Sequence, residues 1–366
     1  MSEPRKPKVL WLTNLPAPYR FPIWDHLSES VDLTVVFVLK EKNWRNWPAP
    51  EQSNWKYEFL SLNSLQIKEY DIIPSARGAR RILKETDIAI IGGWESLIYI
   101  RTILLAKKYK IPVIQFYESL TESHRFKSGL IAMVRKWILK KADKTVTISE
   151  RSTQALIKMG INSSTITTLF NPVDVNWYYE YATSHRQPTA PGHRFLFVGQ
   201  LVERKNILTA IKAFVSIAQP NDSFVIAGQG PLELQIKELI SELVVTEKIH
   251  VVGHKSSQQL AELYSNSHTL VMPSTNEVWG LVANEALAAG MHVIVSDVSG
   301  VSEFIKEMSG AYICTIDQSS IAKKMRQSRK DYLGPVTEPE ILKFTPEMFA
   351  EEFVETFRDF GIFQKK

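Results

Sequence analysis

Short runs of consecutive apolar residues alternate along the whole chain with longer stretches of helical periodicity. Before residue 172 the apolar runs are VLWLTN, LTVVFVL, DIAIIGG, PVIQFY, KTVTIS and TITTLFN; after residue 193 they are RFLFVG, SFVIAG, IHVVG, HTLVMPS, HVIVSD and AYICTI. Most are continuous rather than alternating, the pattern of strands covered by helices on both faces. Strands that alternate with helices make βαβ units and a parallel sheet. Two series of six strands therefore predict two doubly wound, Rossmann-like α/β domains. Open sheets of this kind bind ligands beyond the carboxyl ends of their strands, so two such domains are expected to face one another across a cleft lined by those loops.

The segment SHRQPTAPGH, residues 184–193, is rich in Pro, Gly and polar residues and lacks apolar periodicity, the mark of a linker. It separates an N-terminal domain, 1–183, from a C-terminal domain, 194–340. In the tail, 341–366, Phe349, Phe353, Phe357 and Phe360 fall on one helical face, which must pack on something, the N-terminal domain being the expected partner.

A length of 366 residues is too great for one ordinary core. With 44% hydrophobic and 23% charged residues the chain has the composition of a globular protein. Its one cysteine, Cys314, excludes an internal disulfide and fits a reducing compartment. Its place in AYICTI reads as a buried strand thiol. MSEPRKPK leads directly into a strand run, without a secretory leader, and no stretch approaches the ~18 apolar residues of a membrane span. A cytoplasmic protein is expected. A net charge of +5 suits phosphate-bearing ligands or anionic lipid, and no nucleic-acid partner is indicated.

The segment richest in chemistry is HTLVMPSTNEVWGLVANEALAAGMHVIVSD. A strand ending at Met272 gives way to a loop and then to a helix beginning near Gly280. A helix start presents unpaired amides and a partial positive charge, so the N–H groups of Gly280, Leu281 and Val282 can hold a diphosphate. Glu277, just ahead of that start, can accept from sugar hydroxyls. Glu285, more than a turn further on, can bind the hydroxyls of a ribose. The plain alternative is that Glu277 favours the helix dipole and Glu285 is a solvated helix residue.

The run PSTNEVWGLVANEALAAGMHVIVSD followed by VSGVSEFI resembles the signature of glycosyltransferase family 4, retaining enzymes with two Rossmann-like domains (GT-B type). FLFVGQLVERKNILTAIKAF resembles the first strand of that family's donor domain. The resemblance makes Gly199 the glycine that lets ligand approach the backbone. It makes Arg204 and Lys205 the basic pair that neutralises the donor diphosphate, with Asn206 a helix cap after them. Gln200 stands where an arginine is common in the family. Gly228 and Gly230 do not complete a dinucleotide fingerprint, since Glu233 takes the place of its third glycine. IHVVGHKSSQQLAELYSNSH resembles the strand whose loop cradles the donor base, which points to Val252, Gly253 and His254. The N-terminal half resembles the family more loosely. Pro16, Pro18 and Tyr19 make a stiff acceptor-side loop where many members have a glycine pair. Asn171 and Asp174 stand at the family's N-G-V-D position, with Pro172 replacing the glycine. QFYESLTESH offers Glu118, or else His124, where a histidine is common.

As the resemblance implies, the catalytic set is Glu277, Arg204, Lys205 and Glu118. The donor is a nucleotide diphosphate sugar, a UDP- or GDP-sugar, and the acceptor is a hydroxyl, in some relatives lipid-linked, in polysaccharide or glycolipid synthesis. No further cofactor and no metal is expected. The alternatives are a nucleotide-sugar epimerase or a sugar phosphorylase of the same fold, or a non-catalytic lipid- or polysaccharide-binding relative.

HRFKSGLIAMVRKWILKKADK carries seven basic residues (Arg125, Lys127, Arg135, Lys136, Lys140, Lys141 and Lys144) and one acid, Asp143. On a helix Leu130, Ile131, Met133, Val134, Trp137 and Ile138 share one face, with Arg135, Lys136 and Lys140 off it. Such a helix can lie in an anionic bilayer surface, giving residues 125–144 a peripheral contact with the inner face of the membrane. The alternative is that its apolar face serves only the domain's own core.

Overall fold

The computed structural model of the chain describes residues 5–40, 49–60, 62–63, 65–67, 70–72, 75–120, 126–187 and 191–362. His124, the second acceptor-side candidate, and Arg125, at the head of the basic segment, lie outside the described residues. The chain divides into two compact units, Met1–Phe170 with Pro346–Lys366, and Asn171–Thr345.

The first unit is built on a parallel sheet of seven strands: β1 (Lys8–Thr13), β2 (Asp32–Phe37), β3 (Lys56–Phe59), β6 (Ile88–Ile91), β7 (Val113–Tyr117), β8 (Lys144–Thr147) and β9 (Ile166–Thr168). A separate antiparallel pair, β4 (Leu65–Ile67) and β5 (Tyr70–Ile72), falls between β3 and β6 in the chain. The strand order is β3-β2-β1-β6-β7-β8-β9, so the direction of winding reverses between β1 and β6. Six of these strands coincide with apolar runs of the sequence. The seventh, β3, is KYEF at the sheet edge, half polar and exposed at Lys56 and Tyr57, and so has no continuous apolar run to announce it.

β1 shows how both faces are covered. Leu10 and Leu12 join a core with Ile98, Tyr99 and Ile103 of the helix Leu97–Lys108. Trp11 points to the opposite face, with ring centroids 5.9 Å from Trp24, 5.3 Å from Phe116 and 5.2 Å from Phe353. Phe353 comes from the C-terminal helix Pro346–Arg358, on which Phe349, Phe353 and Phe357 are fully buried. The phenylalanine face of the tail thus closes the core of the first unit, and each ring contributes roughly 1.5–3 kcal/mol by burial.

The second unit carries a six-stranded parallel sheet: β10 (Arg194–Val198), β11 (Ser223–Ala227), β12 (Ile249–Gly253), β13 (Thr269–Met272), β14 (His292–Ser296) and β15 (Ala311–Cys314). Each coincides with an apolar run of the sequence. Their order is β12-β11-β10-β13-β14-β15, with the reversal between β10 and β13. Phe195 and Phe197 of β10 pack with Ala210, Ile211 and Phe214 of the helix Ile207–Val215. Cys314 is buried, and burial pushes its thiol pKa up to about 12: it is an inert strand residue.

Composition puts the domain boundary at 184–193, whereas packing puts the change of unit at Phe170/Asn171. The helix Val175–His185 belongs with the second unit. Tyr178 sets its ring 5.8 Å from that of Tyr264, the Tyr179 hydroxyl donates to the Thr337 carbonyl at 3.0 Å, and Arg186, just past the helix, donates to the Ala289 carbonyl. The turn Glu340–Lys343 also belongs to the second unit, so the tail leaves it at Pro346.

The basic segment differs from its helical-face prediction. In the helix Leu130–Leu139, Ile138 and Leu139 are buried, and Arg135, expected off the apolar face, is buried as well. Its guanidinium donates to the Phe126 carbonyl at 3.1 Å and lies 5.2 Å from the Trp94 ring centroid. By contrast Leu130, Met133 and Trp137 are 76%, 68% and 47% exposed. Among the described residues no helix is long and apolar enough to cross a membrane.

Candidate functional site

In the second unit the loops after β10 and β13 flank the reversal of the sheet, the place where doubly wound folds open a crevice. They carry the residues singled out from the sequence. Lys205 Nζ is paired with Glu277 Oε2, Arg204 Nη1 lies 3.6 Å from the same oxygen, and Ser274 Oγ donates to it at 3.5 Å. Two basic residues thus converge on one oxygen of the carboxylate predicted to act with them, Lys205 and Glu277 being 72 residues apart in the chain. Lys205 and Glu277 are only 12% and 15% exposed, while Arg204 is 44% exposed. Gln200, where an arginine is common, accepts from Arg204 Nη2 at 3.3 Å and so steadies it.

Backbone bonds hold these loops together. The Arg204 carbonyl accepts from Thr275 N–H at 2.8 Å. Asn206 is in the left-handed region (φ +57°) at the start of the helix Ile207–Val215, but its side chain does not cap that helix. Instead Nδ2 donates to the carbonyls of Pro273 and Ile316, at 3.1 and 2.8 Å. It thereby ties the loop after β10 to those after β13 and β15, a different role from the expected cap. The Glu277 carbonyl accepts from Gly300 N–H at 2.9 Å, which adds the loop after β14. The paired charges thus stand on a rigid frame, where little reorganisation is needed to meet a ligand's charge.

Gly228 has a different task from a dinucleotide glycine. A Cβ there would fall 1.8 Å from the Gly199 carbonyl oxygen, so only glycine lets the loop after β11 press against the loop after β10. Gly199 itself keeps ordinary space, a Cβ meeting Lys205 Cε at 3.6 Å. Gly280 opens the helix Leu281–Ala288 at φ +108°, and a Cβ there would come within 2.5 Å of Met272. Gly280, Leu281 and Val282 form the first turn, whose amides have no carbonyl one turn earlier to bond. Val252 and Gly253 end β12 and are partly buried, whereas His254 is exposed.

Glu285 sits further along the same helix. Tyr264 Oη donates to Glu285 Oε2 at 2.7 Å, and Tyr178 faces the same carboxylate. Burial raises the Glu285 pKa, against the hydroxyls of Tyr264 and Tyr178, which favour the charged form. Beside it, Asn284 is fixed from both ends, accepting from Trp279 Nε1 at 3.2 Å and donating to the Asn171 carbonyl at 2.9 Å. Asp174 caps the helix Val175–His185 through Trp177 N–H at 3.1 Å.

The acceptor-side residues lie in the first unit. Pro18 and Tyr19 begin the 3-10 turn Pro18–Arg20, which runs straight into the helix Phe21–Ser30. Glu118, the first residue past β7, is ion-paired with Arg20. Arg20 is buried and its guanidinium carbon lies 4.8 Å from the Phe116 ring centroid and 5.4 Å from that of Tyr19. Burial alone would lower its pKa. The Glu118 carboxylate and Tyr19 outweigh that, and the pKa is raised.

Two family models match this chain: "Glycosyl transferases group 1" over residues 185–335 and "Glycosyltransferase Family 4" over residues 32–177. The chain belongs to glycosyltransferase family 4. It is 38% identical over 129 residues to an uncharacterized glycosyltransferase of Methanocaldococcus jannaschii, over 35% of this chain and 33% of the relative. It is 27% identical over 241 residues to the glycogen synthase of Mycobacterium tuberculosis, over 63% of this chain and 57% of the synthase. The matches thus span between 33% and 57% of these relatives' own length. Among solved structures, Anabaena HepE in complex with UDP aligns with a TM-score of 0.77 at 15% identity, over 96% of this chain and 100% of that one. The same protein in complex with UDP-glucose aligns at 0.69 and 14% identity, over 97% and 98%. These likenesses show the fold, two parallel-sheet Rossmann-like units as in GT-B glycosyltransferases.

Sequence reasoning on this family 4 member missed Arg20, Tyr178 and Tyr264. Tyr264 stands at a helical core position, and nothing in AELYSNSH distinguishes a hydroxyl aimed at a carboxylate from one aimed at solvent. Arg20 follows two residues that were singled out, and a basic residue next to a stiff turn was the available signal.

Proposed function

We propose that this family 4 member transfers a sugar from a nucleotide diphosphate sugar to a hydroxyl acceptor, with retention of anomeric configuration and without a metal. The observation that carries the reading is the convergence of Lys205, Arg204 and Glu277 at the switch point of the second sheet. In this reading Lys205, Arg204 and the amides of Gly280, Leu281 and Val282 stabilise the charge that grows on the leaving diphosphate. Glu277 holds hydroxyls of the transferred sugar, and Glu285 holds the ribose. The acceptor oxygen bonds to the anomeric carbon on the face from which the diphosphate leaves, and its proton passes to the departing phosphate oxygen. The basic pair supplies the positive charge that a cation would otherwise bring. A UDP-sugar donor is supported by the complexes of HepE with UDP and UDP-glucose.

A thermal-shift screen against UDP, GDP and their sugars, followed by product analysis with the stabilising donor, tests the reading. A stabilising donor that is isomerised without acceptor would indicate an epimerase instead, and no stabilisation by any nucleotide would refute the reading.

The acceptor side of the reading includes a membrane, as in polysaccharide or glycolipid synthesis. Leu130, Met133 and Trp137 form an exposed apolar stripe, and Lys141 Nζ lies 5.5 Å from the Trp137 ring centroid. With Lys127, Lys136 and Lys140 nearby in the chain, the stripe suits an anionic bilayer surface, each lysine adding about 1 kcal/mol. Cosedimentation with anionic but not neutral liposomes, lost in Lys136→Glu, Lys140→Glu protein, is the expected result. Binding that ignores both lipid charge and these substitutions would remove the membrane from the proposal.

A further inference from the structure

The first sheet, like the second, reverses its winding beside its first strand, and charged and polar groups gather at the carboxyl ends there too. Arg20 is 5% exposed, a rare place for a guanidinium. Its Nη2 is spent on Glu118. Its Nη1 is buried without a hydrogen-bond partner among the described residues, and so is Asn14 Oδ1, one residue beyond the end of β1. Buried polar atoms are rarely left this way, and each needs an explanation. A guanidinium presents a planar fork that fits two oxygens of one anion. Here Nη2 is taken by one carboxylate oxygen of a residue that remains 29% exposed, Tyr19 also bonds to the guanidinium, and Nη1 stays open.

The transfer reading does not employ this fork, since it assigns the donor phosphates to Arg204 and Lys205 in the second unit. We propose that Arg20 binds a phosphomonoester carried by the acceptor, and that Glu118 is the internal carboxylate which holds the fork until that phosphate replaces it. Phosphate oxygens take both Nη1 and Nη2. The rings of Phe116 and Tyr19, at 4.8 and 5.4 Å, keep the guanidinium in place and water away from it. The word acceptor rests on the transfer reading, but the anion site itself does not.

A plain structural ion pair would bind no phosphate, and its two partners would be equally dispensable for ligand binding. The proposal gives the two residues opposite signs. Methyl phosphate is titrated calorimetrically into wild type, Arg20→Gln, Arg20→Lys and Glu118→Gln, with UDP present to fill the basic pair of the second unit. Arg20→Gln should weaken binding roughly ten- to a hundredfold, the loss expected for a charged hydrogen bond. Arg20→Lys should fall between, and Glu118→Gln should bind several-fold tighter, because the competing carboxylate is gone. Equal affinity in wild type and Arg20→Gln, both for methyl phosphate and for vesicles bearing polyprenyl monophosphate, overturns the proposal. Should Arg20→Gln fail to fold, unchanged or weaker binding by Glu118→Gln overturns it. Phosphatidylcholine vesicles with and without polyprenyl monophosphate form a second arm. Arg20-dependent binding to the vesicles alone identifies a lipid phosphate, Arg20-dependent binding to methyl phosphate a soluble one, and dependence in neither refutes the site. The UDP heat, read in the same samples, separates the two readings, since its absence counts against the donor site and leaves the Arg20 comparison intact.

Discussion

Replacing Glu277 by Gln separates the two tasks given to the charged cluster. Glu277 Oε2 is the shared partner of Lys205, Arg204 and Ser274. Removing its charge deletes hydrogen bonds of the charge-assisted kind, worth about 1.5–3 kcal/mol each when the partner is the sugar. Turnover should therefore fall roughly ten- to a hundredfold, a factor of ten for each 1.4 kcal/mol. Nucleotide binding should respond in the other direction. Lys205 is 12% exposed and spends its ammonium on Glu277, so a neutral partner leaves that charge freer for a diphosphate. The affinity of Glu277→Gln for UDP should be unchanged or greater. Lys205→Ala, in contrast, removes a phosphate ligand and leaves the Glu277 carboxylate without its nearest counter-charge, so both UDP affinity and turnover should fall. Calorimetry with UDP and with uridine, beside a transfer assay, reads each term. A parallel loss of UDP affinity in Glu277→Gln and Lys205→Ala would refute the division of labour, because it would make Glu277 a nucleotide ligand.

Glu285→Gln should leave thermal stability equal or higher, since burial raises that pKa and ionisation there opposes folding, while it weakens uridine and UDP together; a drop in stability with normal binding would contradict it. Gly228→Ala should destabilise the second unit by about 3 kcal/mol or more, as its Cβ would fall 1.8 Å from the Gly199 carbonyl oxygen; an unchanged urea midpoint would refute the close approach. His193 and His268 are buried, and burial holds their pKa values down at about 3 and about 4. The folded chain keeps them neutral while the unfolded chain takes up protons below a pH of about 6.5. Stability should thus be lost as pH falls, by roughly 4 kcal/mol in all between pH 7 and 5. A His193→Gln, His268→Asn variant should flatten that profile, and an unaltered profile would show that other groups set it.

The fold was legible because continuous apolar runs have few uses in a soluble chain other than strands buried on both faces. β3 escaped because an edge strand packs on one side only, and Lys56 and Tyr57 could remain exposed. The unit boundary escaped for a different reason. Composition marks where the chain is polar, as in 184–193, but unit membership depends on which surface a helix packs against. Val175–His185 is assigned by Tyr178 against Tyr264, a contact 86 positions long that no local pattern encodes.

The site was legible in its charges and illegible in its supports, and the topology explains both. In a sheet ordered β12-β11-β10-β13-β14-β15, the loops after β10 and β13 depart to opposite faces and leave the crevice between them. Charged residues on either loop are thereby brought to the crevice, and Arg204 and Lys205, named through the family resemblance, meet Glu277, named ahead of the helix start, in this way. Asn206, Tyr264 and Tyr178 act by reaching across to a neighbouring loop or helix, and the direction of a side chain is a property of packing. The same rule applied to β3-β2-β1-β6-β7-β8-β9 selects the loop after β1, where Asn14 and Arg20 stand. The reading of the first unit stopped at Pro18 and Tyr19, one residue short of the buried guanidinium that the topology places beside Glu118.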